Sequence, residues 1–310
     1  MYLDQWLEEV ARPRLRPLTY SGYRVNVRHI KQTLGSHELS ELTPLHVQEL
    51  INTKLAEGLS GKTVAYVRQV LRTALRDAQR WELVPRNVVD MVPAPRVERP
   101  EIQPLEPEEV ARLLKAAHGR RLEALYLVTL ALGLRQGEVL GLQWSDLDSE
   151  RGWLRVRRQL QRGPAGTRLV PPKSKQARRS LDLPPTVLQA LRLHSLRQDA
   201  ERDDAGECWQ QTDLVFTTRT GGPLSARWLI RDFQRLLAAA GLRHLRFHDL
   251  RHSCATLLLV GGVSPRVVME ILGHSEIRLT METYSHVIPP LRRDAAERME
   301  AVLIDLAAER

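Results

Sequence analysis

Over residues 1–95, apolar positions recur at three- and four-residue spacing between turn signals, which predicts a run of helices. Residues 3–11 open with a carboxylate-rich first turn. Residues 17–34 carry apolar and aromatic side chains at helical spacing and stop at Gly35. Residues 43–58 begin with Thr43 as N-cap and Pro44 at the first helical position, where its missing N–H costs nothing, and end at Gly58. The stretch 60–81 gathers Val64, Val67, Val70, Leu71, Ala74 and Leu75 on one face and arginines on another. These four helices make a first module with one basic helix. An arginine face is usually just solvated, but repeated across helices it also suits a phosphate backbone.

The pattern then breaks. Prolines 93, 95, 100, 104 and 107 fall in a stretch without period, which favours an extended connection. This divides the chain into a helical domain at 1–95, a Pro-rich linker at 96–107 and a second domain at 108–310. The second domain opens with helices predicted at 106–118, 121–133 (apolar all round, ended by Gly133) and 135–144. From Gly152 to about Leu183 the period shortens: 153–160, 167–172 and 178–183 read as short strands, with turns at 163–166 and 173–177. A small antiparallel sheet inside a helical domain follows. Further helices are expected near 185–203, 225–240, 248–260, 264–273 and 276–286, with a last one from about 290. The expected fold is thus mainly α with a small antiparallel β-sheet. There is no repeat of solenoid period.

Composition narrows the class. A chain of 310 residues with 43% hydrophobic and 27% charged residues is ordinary for a globular protein and excludes disorder and collagen-like structure. The acidic start lacks a signal-peptide core, and the apolar run 124–134 falls short of the roughly 18 residues needed to span a bilayer. Cys208 and Cys254 form neither a disulfide framework nor a CxxC pair, so a cytoplasmic protein without membrane association is expected. A formal charge of +9 favours a polyanionic partner. Only six of the 46 basic residues are lysines, and the rest are arginines, whose planar fork fits phosphate oxygens. A GC-rich coding sequence would give the same excess.

Three segments hold candidate chemistry. In HDLRH, His248 and Arg251 lie at i and i+3, with His252 on the same stripe. Two histidines at i, i+4 can hold zinc, but the HExxH arrangement needs a glutamate where this chain has Asp249. In GLRQGE, Arg135 follows a helix-ending glycine and precedes Glu138 by three residues. In LGHSEIRLTMETYSH, His274 is followed ten residues on by Tyr284, the only tyrosine after Tyr126. No Walker-type glycine loop is present.

Together these segments resemble the tyrosine recombinase, or phage-type integrase, family. Arg135 matches the first family arginine, His248 and Arg251 the HxxR pair, His274 the third-box histidine and Tyr284 the nucleophile. Lys173 in PPKSKQARR is similar to the lysine of the family's β-hairpin turn, with Lys175 close enough to blur the choice. Glu138 matches the acidic residue that supports the site, and His252 takes a packing or supporting role. The resemblance covers nearly the whole chain, residues 2–95 being similar to the family's helical core-binding (SAM-like) domain.

The resemblance implies a mixed α/β catalytic domain and cleavage and rejoining of double-stranded DNA through a 3′-phosphotyrosine. It implies no cofactor and no metal, and self-association into a tetramer on DNA. The residue chemistry agrees: a phenol oxygen can attack phosphorus, arginines can hold non-bridging oxygens, and a lysine, unlike an arginine, can give up a proton. Two rivals share part of this pattern: a type IB-like topoisomerase and a catalytically silent DNA-binding regulator. Many family members carry an arm-site-binding domain ahead of the core-binding module. Here the chain opens almost directly in that module, which leaves a compact member and a truncated start both open. The target sequence and the biological role (integration, excision, dimer resolution or transfer) are not legible.

Overall fold

The computed structural model describes residues 2–97, 103–163, 166–172, 174, 176–273, 299, 300 and 304. It divides into two compact units, 1–101 and 102–310.

The first unit is helical. It opens with α1 (Tyr2–Trp6), which continues through a π-helical stretch (Leu7–Ala11) into α2 (Arg12–Arg14). Then come α3 (Pro17–Leu34), α4 (Pro44–Ala56) and α5 (Gly61–Arg80). Local chemistry sets these ends. Thr43 accepts the His46 N–H while His46 Nδ1 accepts the Thr43 N–H, closing a capping box over α4, and Ser60 caps α5 through the Thr63 N–H. All six apolar residues expected on the inner face of α5 are buried, against Trp6, Ile30 and Leu50. The opposite face is not merely solvated. Arg68 donates to the Val89 carbonyl at 2.8 Å and also to that of Val92, and Arg72 pairs with Asp90, so both arginines hold the 3-10 helical turn (Val88–Met91) after α5.

The second unit surrounds α7 (Glu123–Leu132), which follows α6 (Pro107–Ala117) and is buried on nearly every side, as its continuous apolar run requires. α8 (Gln136–Leu140) is shorter than the helix expected over 135–144. A Cβ on Gly141 would come within 2.6 Å of the Leu160 backbone nitrogen, so a neighbouring strand packs directly against the end of this helix.

The expected single sheet is two. β1 (Leu147–Asp148), β2 (Trp153–Val156) and β5 (Arg179–Asp182) form an antiparallel three-stranded sheet in the order β1-β2-β5. β3 (Gln159–Gly163) and β4 (Gly166–Val170) form a separate hairpin. The run 153–160 is cut at Arg157 and Arg158, whose guanidiniums both turn to the buried Asp146 carboxylate, at 2.7 and 3.4 Å. That pairing redirects the chain from one sheet into the other. α9 (Pro185–Ala205), α10 (Ala226–Ala239), α11 (Asp249–Val260) and α12 (Pro265–Leu272) complete the unit. The helices expected at 276–286 and from about 290 lie outside the described residues or nearly so. Among the described residues no helix is long and apolar enough to cross a membrane.

Candidate active site

The site is built where four chain segments end close together. α7 stops at Gly133, which takes a left-handed conformation with φ of 58°. A Cβ there would lie 2.4 Å from Leu272 Cδ2, so this turn has no room for a side chain. The chain then reverses and presents Arg135 as the N-cap of α8. Glu138, at the third helical position, accepts the Arg135 backbone N–H at 3.0 Å through Oε2 and Arg135 Nη1 at 2.7 Å through Oε1. The i, i+3 pair seen in the sequence is therefore a cap and an ion pair at once. Glu138 is 2% exposed and Arg135 35% exposed, so the carboxylate lies beneath and the guanidinium faces outward.

Arg251, on α11, is buried. Its Nη1 donates to the Gly133 carbonyl at 2.7 Å and its Nη2 to the Leu272 carbonyl at 2.6 Å. Both acceptors are at C-terminal ends of helices, where carbonyls lack intrahelical partners and the helix dipole favours a cation. One guanidinium thus joins the ends of α7 and α12. Arg135 Nη2 reaches the adjacent Gly273 carbonyl at 3.4 Å.

His248 stands at the N-cap of α11, one residue before the helix expected to contain it, and its ring meets that of His252 edge to face at 5.0 Å. Burial lowers the His248 pKa from its ordinary value, and the Arg251 and Arg135 guanidiniums lower it further. His248 is therefore neutral at physiological pH. His252 is pushed down to about 4, chiefly by burial and then by His248. Burial alone would raise the Glu138 carboxyl, but Arg179 and Arg135 hold it below the usual carboxylate range. Among the described residues no group of three His, Cys, Asp or Glu side chains gathers where it could hold a metal.

The site thus brings together Arg135, Glu138, His248, Arg251 and His252. Lys173, Lys175, His274 and Tyr284 lie outside the described residues. One participant was missed: Arg179, on β5, donates to Glu138 at 3.2 Å from a side chain only 7% exposed. A signal for it existed. In RRSLDL, two-residue alternation puts Arg179 on the face of Leu181 and Leu183, both buried.

The depressed His252 value has a measurable consequence. The unfolded chain takes up this proton near the ordinary value of 6.5 and the folded chain only near 4, so acid favours unfolding. The stability that neutral His252 contributes is complete above pH 6.5 and is lost as pH falls towards 4. The melting temperature of His252→Asn should therefore fall less steeply than that of wild type between these values. Parallel curves would show that His252 does not titrate in this way.

Comparison with known proteins agrees with this architecture. Residues 103–289 match the model of the phage integrase family, and residues 1–55 match the phage integrase N-terminal SAM-like domain. An integrase of Saccharopolyspora erythraea is 32% identical, over 96% of this chain and 80% of that protein. A XerC-like tyrosine recombinase of Caldanaerobacter subterraneus is also 32% identical, over 97% of this chain and 82% of that protein. Among solved structures, the Tn1549 transposon integrase in complex with transposon right end DNA superposes with a TM-score of 0.81 at 24% identity, covering 97% of this chain and 100% of that one. A lambda integrase tetramer bound to a Holliday junction gives 0.65 at 22% identity, covering 89% of this chain and 76% of that one. The fold is that of enzymes that break and rejoin DNA strands. The chain belongs to the phage integrase family and is a tyrosine-type site-specific recombinase.

Proposed function

We propose that this recombinase cleaves double-stranded DNA by attack of the Tyr284 phenol oxygen on a scissile phosphate. The P–O5′ bond breaks as the P–O(Tyr) bond forms, leaving a 3′-phosphotyrosine and a free 5′-hydroxyl. The equivalent 5′-hydroxyl freed from a partner strand then attacks the phosphotyrosine and releases Tyr284, so the bond energy is conserved and no external donor is needed. His248, neutral because it is buried among cations, accepts the phenolic proton. Lys173 delivers a proton to the leaving 5′-oxygen, and His274 donates a hydrogen bond to the phosphate. Arg135 offers its half-exposed guanidinium to the non-bridging oxygens, and the buried Arg251 adds a fixed positive charge beside it.

The observation that supports this reading best is the anchoring of Arg135. Its backbone and side chain are both bound by a buried carboxylate, so its charge is held in place before the phosphate arrives. Preorganisation of this kind costs nothing at the moment of reaction. In this reading residues 1–95 bind the core site, 108–310 carry the chemistry, and four copies assemble on the DNA. In this reading the protein acts in the cytoplasm.

The test is covalent capture. Purified protein is incubated with a duplex core site nicked just beyond the scissile phosphate, so that the short fragment bearing the freed 5′-hydroxyl is lost and religation is blocked. A denaturation-resistant adduct should form, and peptide mass spectrometry should locate the nucleotide on Tyr284. An adduct elsewhere, or none, overturns the reading; binding without any adduct would leave a DNA-binding regulator.

A further inference from the structure

Arg179 has no place in the scheme above, yet it is the most enclosed cation next to Glu138. Its guanidinium is oriented by two carbonyls: Nε donates to Ile271 at 2.5 Å and Nη1 to Ala177 at 3.1 Å. With those two directions set, Nη2 faces Glu138 Oε2 at 3.2 Å. The other carboxylate oxygen of Glu138 receives Arg135 Nη1 at 2.7 Å. The carboxylate is thus shared between one buried guanidinium and one half-exposed one.

We propose that Arg179 is a positioning residue for strand cleavage, holding Arg135 in place through Glu138. The inference rests on the Tyr284 reading and adds a residue to it. A carboxylate this buried, with Arg135 as its only cationic partner, would be drawn towards solvent along with that partner, because ions are costly to desolvate. Arg179 supplies a second cation from the inner side and removes that pull. At 7% exposure, and with its donors turned inward to Ile271, Ala177 and Glu138, it acts on the reaction only through its neighbours. Three acceptors in different directions match the planar fork of arginine, whereas a lysine ammonium, a single point at the end of its stem, cannot reach all three at once. Two described residues that neighbour proposed site residues in sequence touch this guanidinium or lie beside it. Ala177 follows Lys173 closely in sequence and Gly273 directly precedes His274. A Cβ on Gly273 would lie 3.1 Å from Arg179 Nη1, so that turn is closed against it.

The full chain, with the nicked duplex described above at saturating concentration, provides the test. Arg179→Lys should keep its circular dichroism spectrum and its affinity for the duplex. Its single-turnover rate of adduct formation should fall by about tenfold to a hundredfold, the loss expected when a reacting group shifts by a fraction of an ångström. Arg135 and Arg179 meet different oxygens of Glu138, and a glutamine amide turns one of these into a donor NH2 facing a guanidinium, so Glu138→Gln cuts the link. In that background Arg179→Lys should slow the reaction no further, because both changes break one chain of contacts. A wild-type rate in Arg179→Lys, or losses that multiply in the double variant, would overturn the proposal. So would a joint loss of folded signal and DNA affinity in both Arg179→Lys and Arg179→Gln, which would make the residue a support of the fold alone. Failure of the wild type to form an adduct at Tyr284 would sink the nucleophile reading itself. A reactive wild type with an equally reactive Arg179→Lys removes only the positioning role.

Discussion

Tyr284→Phe is expected to abolish covalent capture of DNA while leaving duplex affinity and the folded spectrum as in wild type. The substitution removes one oxygen atom and keeps the ring, so packing and charge are unchanged. What goes is the only protein group that the proposed mechanism bonds to phosphorus. Losing the nucleophile of a covalent catalyst typically costs roughly 10⁴–10⁶ in rate, which here would put adduct formation below detection. The measurement is a denaturing gel of protein with the nicked duplex, beside a gel-shift titration of the same samples. An adduct that persists in Tyr284→Phe would mean that another side chain attacks. Chain composition makes this a clean experiment: the remaining tyrosines all lie at or before Tyr126.

Arg251→Ala should damage both stability and chemistry, and the two effects are separable. In the fold, the substitution leaves the Gly133 and Leu272 carbonyls without the donors that now sit 2.7 and 2.6 Å away, and it opens a void in a buried region. Breaking a buried, charge-assisted arrangement of this kind costs about 3–5 kcal/mol. In the reaction, removal of one cation beside the phosphate costs roughly 10²–10³ in rate. Urea unfolding followed by circular dichroism reads the first effect. Single-turnover cleavage, at a temperature where the variant is folded, reads the second. Arg251→Lys keeps the charge but cannot span both carbonyls, so it should recover part of the rate and less of the stability. An unchanged unfolding midpoint in Arg251→Ala would refute the role of this side chain as a clamp between α7 and α12.

The arginine excess takes on a different meaning in the structure. As composition it suggested phosphate contacts. Yet Arg68 holds the Val89 and Val92 carbonyls, and Arg197 donates to the Arg120 carbonyl at 2.7 Å. Arg121 binds Glu201 and the Thr217 carbonyl, and Arg243 donates to the Gln103 and Pro104 carbonyls. Arginine's several donors let it satisfy loop carbonyls that no helix or sheet can serve. These arginines hold the fold together, so the arginine count overstates what is available to DNA.

Much of the helical framework was legible because its causes are local. The capping of α4 by Thr43 and Pro44, the inner face of α5 and the glycine that ends α7 each depend on residues within a turn or two of one another. The Arg135–Glu138 pair was legible for the same reason, since three residues of helix bring the two side chains together. Chain order alone set out the family's motif residues. The partition of residues 153–160 between two sheets was not legible, because it depends on Asp146 in a preceding turn. Nor was the early end of α8, which depends on a strand packed against Gly141.

By itself, then, the sequence determined most of the helices, the caps of several of them and the identity of the groups available for chemistry. Only the tertiary structure decided which partners its inward-facing arginines meet. Arg179 meets Glu138 across 41 positions of chain, and Arg251 meets Gly133 across 118. Local periodicity can place a side chain on the inner face of a strand or helix. It cannot say which distant carbonyl or carboxylate will be waiting there, because that partner arrives only when the chain closes on itself.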